Sequence, residues 1–381
     1  MVKAEGLVYK NGIQEWATYA AFLPNQLPPM EIHYTNEVVC ALEAATLAIG
    51  DLRRTAMGMS AWVVSGISRG FRKKEAQLSS RIEGTIVPTG DLLLFDPETS
   101  TTDPQDVREV MNFDQAQLEA IQAIRQGRPL SQHLLKTAHA TLLEGARGEE
   151  WNPGQYRRLQ NMIGTRKDID TARFVPPPVA HLEPLMDNLI KFINEDTQHS
   201  GLIKTGIAHY QIEAIHPFED GNGRIGRLLI ILMLVNLKII DEALIYPSVF
   251  FEANQEEYRD RLLLLSTTGD WCGWLVFFLN GIKHASELAQ ERCNRFNDLM
   301  TESREKLKGP QVSHSLFDVL DLFAETFVLT VNSASSRLGI NYQSARNYFK
   351  KLEEAEIISR IPGYKKDVPF YLRGVNAIIG D

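Results

Sequence analysis

From Thr35 to about Leu307, apolar residues return at three- and four-residue spacing with only short interruptions, and that periodicity commits most of the chain to helices. Thr35 reads as an N-cap, with Val38, Val39, Leu42, Ala45 and Leu47 behind it. A second helix runs over 59–81 and stops at Gly84; others follow over 105–125, 130–145, 182–194, 202–215, 224–237, 254–265 and 271–307. Residues before Thr35 read as irregular, because Pro24, Pro28 and Pro29 interrupt any regular element, and 87–103, rich in Thr, Pro, Gly and Asp, reads as a loop. Between Ile163 and Pro178, β-branched residues flank a charged turn and three prolines close the run, which predicts a short hairpin. The expected fold class is mainly α.

A smaller unit begins near Lys308-Gly309-Pro310. Helices are expected over 316–323, 331–338 and 342–355, with Gly339 at the tight turn, and IISRIPGYKKDVPFYL reads as a two-stranded wing. This part resembles a winged helix-turn-helix domain. Arg346, Lys350 and Lys351 would lie on its recognition helix and Lys365 and Lys366 in its wing, yet residues 309–381 hold eight basic and eight acidic side chains. DNA readers are usually more basic, so protein contact, dimerisation or target selection is favoured over DNA. The expected division is an N-terminal helical region over 1–108, a catalytic core over 109–308 and the winged helix over 309–381.

The whole chain, with 40 basic against 48 acidic side chains and a formal charge of -8, has no general footprint for nucleic acid or anionic membrane. Any anion binding is therefore local. Cys40, Cys272 and Cys293 are odd in number, dispersed and outside any metal spacing, which points to a reducing compartment, and cytoplasm is the expectation. The amino terminus lacks the apolar stretch of a signal peptide, and the longest apolar run, Leu228 to Val235, is too short to span a bilayer.

The local anion site is legible in HPFEDGNGRIGRLLIILML, residues 216–234. Gly221, Asn222 and Gly223 stand just before a helix, where backbone N–H groups unshielded by side chains point toward an anion at the positive end of the dipole. Arg224 and Arg227 share one face of the first turn, an unfavourable place for two cations unless an anion sits there. Asp220 supplies a hard oxygen of the kind a nucleotide-bound Mg²⁺ takes. His216 has an imidazole suited to general-base work near neutral pH. No single structural requirement explains all these residue types within twelve positions, so the stretch reads as a phosphoryl or nucleotidyl transfer site.

HPFEDGNGRIGR resembles the signature of the Fic family, HPFxxGNGRxxR, at every specified position. RKKEAQLSSRIEG, PGQYRRLQNMIG and RFVPPP are similar to its flanking segments, so the resemblance covers roughly residues 15–290. It implies a helical core with a β-hairpin flap and transfer of AMP from ATP to a protein hydroxyl. His216 would take the proton of a Ser, Thr or Tyr hydroxyl, and Asp220 would hold the Mg²⁺. Gly221, Asn222 and Gly223 would bind the α- and β-phosphates, Arg224 the β-phosphate and Arg227 the γ-phosphate. Asn254 and Tyr258, four apart on a later helix, would line the adenine pocket. Gly221 itself favours AMP transfer, since relatives with other donor chemistry tend to carry alanine there.

Ser79, three residues, then Glu83-Gly84 resembles the family's inhibitory motif (S/T)xxxE(G/N). Glu83 would pair with Arg227 and occupy donors that a γ-phosphate needs, leaving the resting enzyme off. The same glutamate assists AMP removal in some relatives, which is kept as a secondary possibility. The resemblance further implies target docking along the edge of the hairpin 163–178, self-modification as one outcome, and a homodimer. Two rival readings remain: a transcription regulator whose inactive Fic domain only senses nucleotide, and transfer from another donor such as UTP. A pure sensor would not require His216.

Overall fold

A computed structural model describes residues 1–10, 12–29, 32–94, 102–147, 150–164, 168–241, 243–308, 313–364 and 366–380. The tip of the expected hairpin at 165–167, the boundary at 309–312 and Lys365 of the expected wing lie outside these residues.

The chain is mainly helical, as its periodicity requires. Helix α1 spans Asn36–Met57, with Thr35 Oγ1 accepting from the Val38 amide at 3.5 Å. Helix α2 spans Ala61–Ile82 and stops where Gly84 takes φ 100°, a left-handed backbone that glycine enters without cost. There follow α3 (Thr89–Leu94), α4 (Pro104–Arg125), α5 (Gln132–Leu143), α6 (Leu182–Glu195), α7 (Gly201–Ile215) and α8 (Asn222–Asn236). The short α3 lies inside the stretch expected to be loop. Helices α9 (Ser248–Ala253), α10 (Gln255–Thr268) and the long α11 (Trp271–Lys306) complete the core. Helices α7 and α8 are buried almost all round, which makes this antiparallel pair the centre of the fold and places the loop between them at its working end.

Two regions depart from expectation. Residues before Thr35 are not uniformly irregular: β1 (Val2–Lys10) and β2 (Ile13–Ala21) form an antiparallel hairpin in register Val2↔Ala21 to Lys10↔Ile13. Its alternation, with Val8, Tyr19 and Ala21 on the packed face, is a two-residue period, and Gly12 at φ 78° makes the turn. Among the described residues, the expected hairpin at 163–178 shows one antiparallel bridge, Ile163 to Phe174, with N–H···O distances of 2.8 and 3.1 Å, and a 3-10 turn over Ile169–Thr171. Pro176, Pro177 and Pro178 have no N–H to extend it. The flap leans on the amino-terminal hairpin: the Phe22 amide donates to Val175 O at 2.8 Å, and Val175 and Ile169 share a small apolar cluster with Val8, Tyr19 and Ala21.

Past the core come α12 (His314–Thr326), β3 (Val328–Leu329), α13 (Val331–Leu338), α14 (Tyr342–Glu354), β4 (Ile358–Arg360), β5 (Phe370–Leu372) and α15 (Val375–Ile379). The three strands are antiparallel in the order β3-β5-β4, and Gly339 turns between α13 and α14 at φ 63°. Helix α2 is wedged between this unit and the core. Gly66 approaches the Ala324 carbonyl so closely that a Cβ there would stand 1.8 Å from the oxygen, and Lys74 Nζ donates to Gly380 O at 2.8 Å. No described helix is long and apolar enough to cross a membrane.

Candidate active site

His216 caps the C-terminus of α7 in left-handed backbone, φ 50° and ψ 60°, which turns the chain sharply into the loop before α8. Its Nδ1 lies 3.3 Å from the Glu213 carbonyl, so Nδ1 carries the proton and Nε2 is left as the basic nitrogen. Burial, then the charge of Arg157, push the imidazole pKa down to about 4, which keeps the ring neutral.

The loop itself is stitched from inside. Asn222 Oδ1 accepts from the Phe218 amide at 2.8 Å and its Nδ2 donates to Phe218 O at 2.9 Å. The Asn222 side chain therefore closes the loop, and of residues 221–223 it is Gly223 that borders the cavity described below. Phe218 is fully buried and stacks on His139 at 3.9 Å between ring centroids. His139 Nδ1 accepts from the Gly154 amide at 2.9 Å, so its proton sits on Nε2 and is donated to Asp220 O at 3.0 Å. Burial lowers the His139 pKa to about 4, consistent with that neutral tautomer. Gly221 takes φ 73° against this ring, and a Cβ there would meet His139 Nε2 at 3.4 Å.

The two arginines behave differently. Arg227 is 2% exposed and its donors are engaged: Nε to Ser79 Oγ at 2.8 Å, and Nη2 to Ser79 O at 3.0 Å and to Glu83 Oε1 at 2.7 Å. Burial opposes the charge on both members of this pair, yet each overrides it for the other. Glu83 raises the Arg227 pKa, and Arg227 holds the Glu83 carboxyl below its usual range. Arg224 is buried with Nη2 3.1 Å from Asp220 Oδ2 and Nη1 3.7 Å from Glu109 Oε2. Among the described residues its Nε and Nη1 have no hydrogen-bond partner. Buried guanidinium donors without acceptors fit an incoming anion. The Asp220 side chain is half exposed, and among the described residues no three His, Cys, Asp or Glu side chains gather as a metal site. A half-exposed carboxylate is a donor of the kind a hard cation takes.

Glu83, His216, Gly223 and Arg227 form one wall of a cavity of about 390 Å³; the flap residues Ile163, Gly164, Arg173 and Phe174 form another, and Tyr210, Tyr258, Arg259 and Leu262 close it. Tyr258 lies in the wall and donates its hydroxyl to His209 Nε2 at 2.8 Å. Asn254 does not line the cavity; its Nδ2 turns to Phe250 O at 2.9 Å at the junction of α9 and α10. Glu213 lines the cavity as well. Its Oε1 is buried without a hydrogen-bond partner among the described residues, and burial raises its pKa to about 8. His139, Arg157 and Glu213 are residues that sequence reasoning did not single out; each acquires its role from packing between distant segments.

Residues 129–234 match the Fic/DOC family, and residues 39–122 match the Fic/DOC family N-terminal region. A probable protein adenylyltransferase of Aquifex aeolicus is 26% identical over 193 residues, 51% of this chain and 57% of that protein. The protein adenylyltransferase Fic of Drosophila grimshawi is 31% identical over 119 residues, 31% of this chain and 22% of that protein. The chain thus spans little more than half of the first relative and a smaller part of the second. Among solved structures, a Fic family protein from Desulfovibrio desulfuricans G20 superposes with TM-score 0.58 at 23% identity, covering 91% of this chain and 98% of that one. Fic-1 from C. elegans does so with TM-score 0.53 at 19% identity, covering 70% and 74%. The motif thus lies within residues 129–234, which match the Fic/DOC family, in a chain that superposes on a solved Fic family structure.

Proposed function

We propose that the chain transfers AMP from ATP to a Ser, Thr or Tyr hydroxyl of a protein target, and that Glu83 holds it off by occupying Arg227. The observation that carries the reading is one cavity wall on which an unprotonated His216 Nε2, the glycine-flanked start of α8 and Arg227 converge, with the Glu83 carboxylate 2.7 Å from Arg227 Nη2. His216 Nε2 takes the hydroxyl proton, the acceptor oxygen bonds to the α-phosphorus, and the bond to the pyrophosphate oxygen breaks. The backbone of 221–223 and the open donors of Arg224 bind the phosphates. Asp220 would hold a Mg²⁺ arriving with them, which supplies charge neutralisation on the leaving pyrophosphate.

The Ile163–Phe174 flap beside the cavity supports docking of an extended target segment, which would set its hydroxyl opposite His216. The element order and the β3-β5-β4 sheet over 314–372 support reading this part as a winged helix, and its balanced charge favours a protein contact over DNA.

The test is transfer of label from ATP marked at the α-phosphate, with Mg²⁺, to the chain itself or to a lysate. Three proteins are compared: native, Glu83→Gly, and Glu83→Gly with His216→Ala. Strong labelling by the single variant alone is the expected result; labelling by none of the three, with ATP still bound, removes the reading and leaves a nucleotide sensor.

A further inference from the structure

The segment between α5 and the flap carries a buried cation to which AMP transfer assigns no part. Arg157 is 2% exposed and forms no ion pair among the described residues. Its guanidinium donates to three backbone carbonyls instead: Nε to His216 O at 3.0 Å, Nη1 to Leu159 O at 3.3 Å and Nη2 to Pro177 O at 2.5 Å. Its own amide adds a bond to Pro217 O at 2.9 Å. A buried charge without a counter-ion is costly, and here burial pulls the guanidinium pKa down to about 10. Holding a loop needs no charge, so the cation and its planar fork call for a reason.

The carbonyls belong to two working parts. His216 occupies left-handed backbone that side-chain-bearing residues rarely adopt, and Arg157 grips its carbonyl and the next one from outside. Pro177 lies in the flap, whose Pro176 carbonyl is held in turn by Gln160 Nε2 at 2.9 Å. One side chain therefore touches both the turn that presents the base and the flap that borders the cavity.

We propose that Arg157 is a positioning residue that locks flap and catalytic imidazole into one frame, so that a hydroxyl delivered along the flap meets His216 Nε2. A planar fork suits the task because each of its three nitrogens reaches a different carbonyl, whereas an ammonium offers all its donors from one atom. The charge has its own effect on the base. Facing His216 are Arg157 from this segment, Glu83 from α2 and Asp220 from the loop, with the Glu213 carbonyl on Nδ1. Burial and Arg157 favour the neutral ring, and the two acids oppose them.

The proposal rests on the AMP-transfer reading for its rate, so the experiment includes a readout independent of transfer. In the full chain carrying Glu83→Gly, Arg157→Lys and Arg157→Met are compared for self-labelling rate, ATP affinity by calorimetry, and titration of the His216 ring by NMR, assigned with His216→Ala. Arg157→Lys is expected to label roughly 10²-fold more slowly at unchanged ATP affinity, with the His216 midpoint still low. Arg157→Met is expected to slow as much and to raise that midpoint. Labelling by Arg157→Lys at the parent rate overturns the proposal, as does an unmoved His216 midpoint in folded Arg157→Met. If Arg157→Met does not fold, Arg157→Lys decides. If the parent labels nothing, AMP transfer falls, and the folding and titration of the two variants still decide whether Arg157 acts on His216: a midpoint raised in Met and not in Lys supports it, and equal midpoints overturn it.

Discussion

The carboxylate of Glu83 fills the space that a side chain at Gly223 would need: a Cβ there would stand 2.3 Å from Glu83 Oε1 and 3.0 Å from Arg227 Nη1. The absence of a side chain at Gly223 is thus what lets Glu83 reach Arg227. Gly223→Ala should push Glu83 off Arg227 and cost about 1–3 kcal/mol, the range for overpacking. In a Glu83→Gly background the clash is largely gone, so the same substitution should cost much less. Urea unfolding of the four proteins measures this coupling; equal costs in both backgrounds would show that Glu83 does not sit there.

The Glu83–Arg227 pair also sets a pH signature. Arg227 holds the Glu83 pKa below the unfolded value of about 4.5. The unfolded chain therefore binds a proton first as pH falls, so the pair's stabilisation is complete above about 4.5 and is lost as pH drops through the folded pKa. Glu83→Gln should lower the melting temperature at neutral pH, and its deficit should shrink in acid. Thermal scans of both proteins from neutral pH downward check this; a deficit that grows in acid would contradict it.

His139 predicts the complementary behaviour for the loop. Its folded pKa is about 4 against 6.5 unfolded, so it resists protonation and its contribution falls away as pH drops from 6.5 toward 4. His139→Ala leaves the Asp220 carbonyl without its donor and the buried Gly154 amide without its acceptor, the latter at a cost of about 1–3 kcal/mol. Because the ring backs Gly221, ATP affinity should weaken as well. Calorimetric titration with ATP measures that, and an unchanged affinity would separate His139 from the phosphate loop.

What could be read in advance follows how local each determinant is. Helix α1 was legible because its N-cap and apolar stripe lie within a few residues, and the end of α2 because Gly84 is its own stop signal. The β1–β2 hairpin was equally local, in the alternation of Val2, Ala4, Gly6 and Val8 and in Asn11-Gly12, but the prolines from Pro24 onward outweighed it in a reading of the segment as a whole. The motif residues of 216–227 announced themselves by composition. That the Asn222 side chain turns back onto Phe218 did not, although the two are only four residues apart, nor that Glu109 lies 3.7 Å from Arg224, which depends on how α4 and α8 meet in space. Arg157 and His139 read as ordinary residues because their partners lie 59 and 81 positions away.

The seam between α2 and α12 yields the last expectation. Gly66 lies against the Ala324 carbonyl, and backbone cannot move aside as a flexible side chain can. Gly66→Ala should therefore destabilise by about 1–3 kcal/mol or shift α2 along its axis, even though alanine favours helix more than glycine does. At its other end the same helix carries Ser79 and Glu83, both bonded to Arg227. A shift of α2 would loosen those contacts, so self-labelling by Gly66→Ala should exceed that of the native chain while remaining below that of Glu83→Gly. Measuring unfolding and labelling on one preparation separates the outcomes: lost stability with unchanged labelling would mean that the seam and the Glu83 contact move independently.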